Sequence, residues 1–240
     1  MFGLGTIINS GAIIIGGLLG ILFGKFLKEQ VQDSLTKTCG ICVLFIGMAG
    51  AFEHMLHIEN NTLISGNTLL IVGCLAVGTL IGELLGIEKL FERFGQWLRD
   101  KTGNAKDKQF VEAFVYASLT VCIGAMAIVG SIKDGISGDI SILVTKAILD
   151  FIIIMVMTAS IGKGCLFSAI PVAIFQGLIT LLARLVRPLM TPEALSNLSM
   201  VGSILIFCVG INLIWKKKMR VANMLPAVIL AIIVSFIPIF

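Results

Sequence analysis

Two ionisable residues stand where a chain of this kind should have none. Lys146 and Asp150 sit in ISILVTKAILDFIII, an otherwise apolar run. Four residues apart, they share one helix face and can pair. A charge at the centre of a bilayer costs about 2.5–3.5 kcal/mol on insertion scales, so both side chains should face protein or water and not lipid. Asp150 could then bind a proton or Na⁺, with Lys146 competing for it; the alternative is a permanent structural ion pair.

Polar side chains in two further apolar runs extend the constellation. Thr6, Asn9 and Ser10 open one run, and Ser168, Pro171, Gln176 and Thr180 lie in another. Pro171 removes a backbone donor and can break a helix, freeing carbonyls for a cation or solute. Both segments are therefore read as discontinuous helices, whose half-helix termini make ion sites. The alternative is a kink satisfied by neighbouring Ser and Thr. Asn9, Ser10, Lys146, Asp150, Ser168, Pro171, Gln176 and Thr180 form the expected substrate or ion site.

Three other motifs carry less chemistry. Glu53, His54, His57 and Glu59 could ligate a transition metal, but a polar helix end explains them as well, and no metal is assigned. Cys39-Gly40-Ile41-Cys42 has C-x-x-C spacing without the surroundings of a redox motif. Gly135-Ile136-Ser137-Gly138 matches the letters of an intramembrane serine protease. A serine nucleophile needs a base in reach, and both histidines lie upstream. KDGISGD reads instead as a turn. With no H-e-x-x-h, Walker or dinucleotide pattern either, no enzymatic activity and no cofactor are expected.

The elements that position these residues follow from composition. The chain has 240 residues, 57% hydrophobic and 13% charged, with a mean hydropathy of +1.04. Soluble domains carry about 25% charged residues, so this chain lacks the polar surface to cover its apolar side chains. A cytosolic enzyme, a nucleic-acid binder and a disulfide-stapled secreted domain are excluded. The expected fold is an all-α polytopic transmembrane bundle. The six cysteines lie in or beside apolar runs and read as small buried residues. No basic n-region precedes the first apolar stretch, so a cleaved signal peptide is not expected.

Spanning helices need about 20 apolar residues. Eight runs qualify: Gly3–Gly24, Thr36–Met55, Asn67–Gly86, Phe110–Ile132, Ile140–Ile161, Cys165–Val186, Leu195–Trp215 and Val221–Phe240. In the last, Pro226 and Pro238 could produce a kinked or re-entrant segment. With the N-terminus outside, the inward loops hold Lys25, Lys28 and Lys37, six basic residues from Lys89 to Lys108, Lys163, and Lys216, Lys217, Lys218 and Arg220. The outward loops hold Lys133, Arg184 and Arg187. That asymmetry predicts that both termini lie outside the membrane. Between the third and fourth runs, EKLFERFGQWLRDK is an amphipathic helix for the cytoplasmic interface, with Trp97 at headgroup depth.

The first and sixth runs share a pattern of Gly-rich helix, short loop with an acid (Asp33, Glu193) and small-residue helix. Five spans separate their starts, which makes the repeat inverted, as in many secondary transporters. The expected organisation is one membrane domain: a first repeat over 1–87, the amphipathic helix and loop over 88–108, two central spans over 109–162 and a second repeat over 163–240. Gly16, Gly20 and Gly24, and Gly78, Gly82 and Gly86, make stripes for close helix approach, within the protomer or across a homodimer.

GSIKDGISGDISILVTKAILD, GKGCLFSAIPVAIFQGLITLLARLV and the opening GTIINSGAIIIGGLLGILFG resemble the bacterial YqgA-like membrane family, domain of unknown function number 554. The resemblance covers nearly the whole chain and implies a polytopic inner-membrane protein, often labelled a transporter. It assigns no functional residues, so the site rests on the residue reading. The expected function is secondary transport of a small solute or ion by alternating access, with the bilayer and that solute as partners and no nucleic acid. The alternatives are a passive channel, or a membrane sensor or scaffold without flux.

Overall fold

A computed structural model describes residues 3–59, 61–105, 107, 109–123, 125–215 and 219–237. Lys106, Lys108, Lys216, Lys217, Lys218 and Pro238 lie outside that set. The chain forms α1 (Leu4–Gly24), α2 (Glu29–Met55), a hairpin of β1 (Leu56–Glu59) and β2 (Thr62–Ser65), and α3 (Thr68–Leu85). Then come α4 (Ile87–Lys101), α5 (Phe110–Cys122), α6 (Ala125–Ser137) and α7 (Ser141–Ile161). A 3-10 turn, Lys163–Ser168, leads into α8 (Ala169–Leu181) and the short α9 (Ala183–Val186). The chain continues with α10 (Pro192–Trp215), a 3-10 turn over Val221–Met224, and α11 (Pro226–Val234).

The burial pattern is the reverse of a soluble protein's. Ile15, Leu18 and Phe23 on α1, Phe45 on α2, Leu80 and Leu84 on α3, and Ile148 and Ile152 on α7 all face outward. Asn9, Ser131, Asp134, Asp150 and Gln176 face inward. Only an apolar solvent makes this arrangement stable, because water would penalise the first set and lipid the second. The all-α polytopic membrane bundle is thereby established.

Among the described residues, six helices are long and apolar enough to cross a membrane: α1, α2, α3, α7, α10, and the 3-10 turn running into α8. The expected span over Phe110–Ile132 is not one continuous helix. It is two helices, α5 and α6, bent by 61°. The expected turn KDGISGD is also corrected, because α6 runs on through Ser137 and buries Asp134. The last run is short as well. Its helix comprises nine residues, and Pro226 occupies its first turn, where no intrahelical donor is needed.

Glycine contacts give the helix directions. A Cβ on Gly5 would meet Leu143, on Gly16 Phe151, on Gly20 Met155, and on Gly24 Ala159. Both series rise together, so α1 and α7 are parallel. That direction fits three passes between them, made by α2, α3 and the bent α5–α6 pair. Gly40 meets Gly210 and Gly47 meets Ser203, so α2 and α10 are antiparallel. Gly78 meets Ala227 and Gly82 meets Asn223, which sets α3 antiparallel to α11. Gly16, Gly20, Gly24, Gly78 and Gly82 of the two predicted stripes therefore have their packing partners within the chain, while Gly86 ends α3.

Two local devices fix the remaining angles. Gly86 has φ +62° at the end of α3, a left-handed conformation that glycine adopts without steric cost, and the chain turns there directly into α4. The backbone N–H of Glu88 then donates to Asn223 Oδ1 at 2.7 Å, satisfying one of the free amides of the α4 N-terminus. On α4, Leu98 and Gly95 pack inward while Leu90 and Trp97 are exposed, as an interfacial helix requires.

Candidate functional site

Asp150 is the tenth residue of α7, midway along it, and Lys146 lies one turn before it. Lys146 Nζ donates to Asp150 Oδ2 at 2.5 Å and to the carbonyl oxygen of Val121 at 2.8 Å. Both side chains are almost fully buried, at 9% and 5% exposure. Val121 belongs to the last turn of α5, just before the bend. The final carbonyls of a helix have no intrahelical donor and carry the negative end of its dipole. Breaking the helix inside the bundle frees such a carbonyl, and the ammonium takes it. The sequence reading found the ion pair but not this third partner.

The same bundle interior holds a set of buried side-chain polar atoms that complete no hydrogen bond. They are Thr6 Oγ1, both amide atoms of Asn9 and Ser10 Oγ on α1; both amide atoms of Gln176 and Thr180 Oγ1 on α8; Ser118 Oγ on α5; Ser131 Oγ on α6; and Thr158 Oγ1 on α7. Asn9 is fully buried and stands beside Asp150 without completing a hydrogen bond to it. Helix α1 contacts α6, α7 and α8, and α8 contacts α5 and α6, so these faces converge on one interior. Buried polar atoms in native structures are nearly always paired, with protein or water. Such a concentration marks a place where small polar molecules complete the hydrogen bonding.

The structure redistributes the expected site residues. Asn9, Ser10, Lys146, Asp150, Gln176 and Thr180 lie in this interior. Ser168 does not serve it, because its hydroxyl donates to the carbonyl of Cys165 at 2.7 Å within its own 3-10 turn. Pro171 is corrected too. It sits in the first turn of α8, where a missing N–H costs nothing, and α8 runs unbroken past it. Helix α1 is continuous as well. The break that frees a carbonyl lies instead between α5 and α6.

Asp134 is the residue missed most clearly. Its Oδ1 accepts from the amide of Gly3 at 3.2 Å and its Oδ2 from that of Gly5 at 2.9 Å. A carboxylate from α6 thus holds the amino end of α1, where it satisfies free donors and complements the dipole. Its position three residues after Ser131 puts both on one helical face, a signal hidden by the turn-like composition around it.

The other motifs resolve locally. Ser137 Oγ donates to its own helix at the Lys133 carbonyl, 2.8 Å. His54 Nδ1 lies 3.2 Å from Ser196 Oγ, and His57 and Glu59 sit on the exposed hairpin. Cys39 and Cys42 are free thiols. Among the described residues, no group of three or more His, Cys, Asp or Glu side chains could hold a metal ion.

Two cavities open near the start of α5. One, of about 510 Å³, is lined by residues of α2, α5, α7 and α10, including Asp33, Glu112, Ser160 and Asn212. The other, of about 310 Å³, lies between α4, α5 and the end of α10 and shares Glu112, Tyr116 and Asn212. Tyr116 donates to Glu112 at 2.9 Å between them. Neither is lined by Asn9, Lys146, Asp150 or Gln176.

Residues 4–236 match the family described as protein of unknown function DUF554, and the chain belongs to that family. It is 30% identical to a protein of Escherichia coli (strain K12) described as uncharacterized protein YqgA, over 97% of this chain and 96% of the relative. It is 27% identical to one of Bacillus subtilis (strain 168) described as uncharacterized membrane protein YdfK, again over 97% and 96%. No solved structure matches.

Proposed function

We propose that this DUF554 member is a secondary transporter of a small solute or ion in the bacterial cytoplasmic membrane, working by alternating access. The carrying observation is the Lys146–Asp150 pair under the broken α5–α6 helix, within an interior of unpartnered polar side chains. A charge pair at mid-helix is expensive in a membrane and marks substrate or ion pathways by default. Discontinuous helices at mid-depth are the usual material of transporter sites.

The packing supports an inverted repeat of 1–87 and 163–240 about the central spans. Helix α1 contacts α8, α2 contacts α10 and α3 contacts α11, so each element meets its counterpart, as helices near a pseudo-two-fold axis do. Both termini are outside in this reading, which puts the two cavities on the cytoplasmic side as a vestibule below a closed site. Asp150 carries the coupling charge, and Asn9, Ser10, Gln176 and Thr180 bind the solute.

The test is thermal unfolding of the detergent-purified protein against ions, amino acids, organic acids and metals at several pH values, beside Asp150→Asn. A specific ligand at a hundredfold excess over its Kd stabilises the fold by about 2.7 kcal/mol. A shift lost in the variant, followed by gradient-driven uptake of that ligand into proteoliposomes, is expected. Ohmic current without saturation would favour a channel, and no ligand response with a recoverable cytoplasmic partner would favour a scaffold.

A further inference from the structure

We infer that Lys146 is a built-in replacement for an alkali cation, so that the charge exchanged at this site is a proton and neither Na⁺ nor K⁺ binds there. This deepens the transport reading and rests on it for its meaning, though not for its test. The Val121 carbonyl at the negative end of α5 and the Asp150 carboxylate converge on one point between α5 and α7. A helix-end carbonyl plus a carboxylate is the oxygen set that holds a monovalent cation at a discontinuous helix. Here the Lys146 ammonium fills that point and satisfies both oxygens, and its stem is anchored one turn away on the same helix. A free cation entering would place a second positive charge beside the ammonium in a low-dielectric interior, where like charges at contact are strongly unfavourable.

A proton can change this site without displacing anything. When Asp150 Oδ2 takes one, the carboxylate becomes an acid, the charge-assisted bond to Nζ is lost, and the ammonium keeps only the Val121 carbonyl. Releasing the proton restores the pair. The titratable groups on the surrounding elements are few. Helix α5 contributes Cys122, beside the pair, and Glu112 at the cavity. Helix α6 contributes Asp134, held by the amides of α1. At the far end of α7 are Cys39 of α2, next to Ser160, and Cys165 in the 3-10 turn. The faces of α1 and α8 bring neutral groups: Asn9, Gln176 and Thr180. Among the described residues, no second carboxylate competes at Nζ.

The experiment compares unfolding midpoints of the full chain in detergent, in sodium, potassium, lithium and choline chloride at equal ionic strength. Wild type is expected to give one midpoint in all four salts. Lys146→Ala empties the point and keeps Asp150, and is expected to gain a saturable rise of several degrees in sodium or lithium over choline. Adding Asp150→Asn to it removes the rise. Lys146→Ser serves if the alanine variant does not accumulate, and accumulation only in an alkali salt counts for the inference. A saturable sodium or potassium shift in wild type overturns it, as does a folded Lys146→Ala or Lys146→Ser protein indifferent to all four salts. If no solute is ever taken up, transport falls, while these shifts still decide what occupies the point.

Discussion

Two helix pairs carry the molecule, and they are built on opposite plans. Helices α2 and α10 run antiparallel and meet through Gly40, Gly47, Gly50 and Gly210, with the His54–Ser196 contact at one end of the pair. Helices α1 and α7 run parallel and also meet through glycines, at Gly16, Gly20 and Gly24. Yet the second pair has Asn9 on one member and Lys146 and Asp150 on the other. Without a hydrophobic drive between helices in lipid, close van der Waals packing must hold both. The first pair is held mainly in this way and is a scaffold. The second adds polar groups that packing alone leaves unsatisfied, which is how functional sites depart from stability.

The contrast can be broken most severely at the scaffold. In Gly47→Leu the new side chain would run into the Phe207 amide and the Ser203 carbonyl, backbone that cannot move aside. No folded monodisperse protein should be recovered, as judged by size-exclusion chromatography in detergent. Gly73, with nothing near a Cβ, should accept alanine without loss.

Next in size is the charge pair. Lys146→Met leaves Asp150 buried and unpaired, at a cost of about 3–5 kcal/mol. The double variant Lys146→Met/Asp150→Leu should recover most of that stability and none of the coupled uptake. A double variant no more stable than the single would mean that the pair is not the local determinant. Asp150→Asn, which keeps the shape, should fold and lose coupled uptake; normal coupled uptake would end its assignment.

Smaller effects should come from the ends of elements. Asn223→Ala removes the acceptor for the Glu88 amide and should cost about 1 kcal/mol, the usual range for a lost cap, read as a lowered midpoint with uptake retained. The least is expected at Asp139, on the loop before α7. The Ser141 side chain and amide, and then Lys133 nearby, hold its carboxyl below the usual carboxylate range. A depressed folded value means stability present above the unfolded value and lost as pH falls through the folded one. Asp139→Asn should therefore lower the midpoint slightly at neutral pH, and the gap should close in acid.

Much of the bundle was legible because lipid leaves so few options. The expected Ile140–Ile161 is observed as Ser141–Ile161, and the amphipathic Glu88–Lys101 as Ile87–Lys101. Hydrophobic length and 3.6-residue periodicity report such elements directly. The break was misplaced because proline is the visible helix breaker, and Pro171 happens to stand where a helix tolerates it. The chain bends instead after Cys122, in a run with no proline, where the sequence offers only the weaker helix breaker Gly124. Ser168 likewise reads as a cavity residue, whereas its acceptor is three residues back in its own chain.

The sequence by itself determined that this chain lives in a membrane, where most of its long apolar helices lie along the chain, and that Lys146 and Asp150 share a face. Those follow from the transfer free energy of side chains and from the pitch of a helix, both local quantities. Which carbonyl completes the pair, which acid secures α1 and which glycines face which backbone depend on helices far apart in the chain. Only the tertiary structure decided them, because a side chain's partner across an interface is fixed by crossing depth and direction, and neither is written in any one segment.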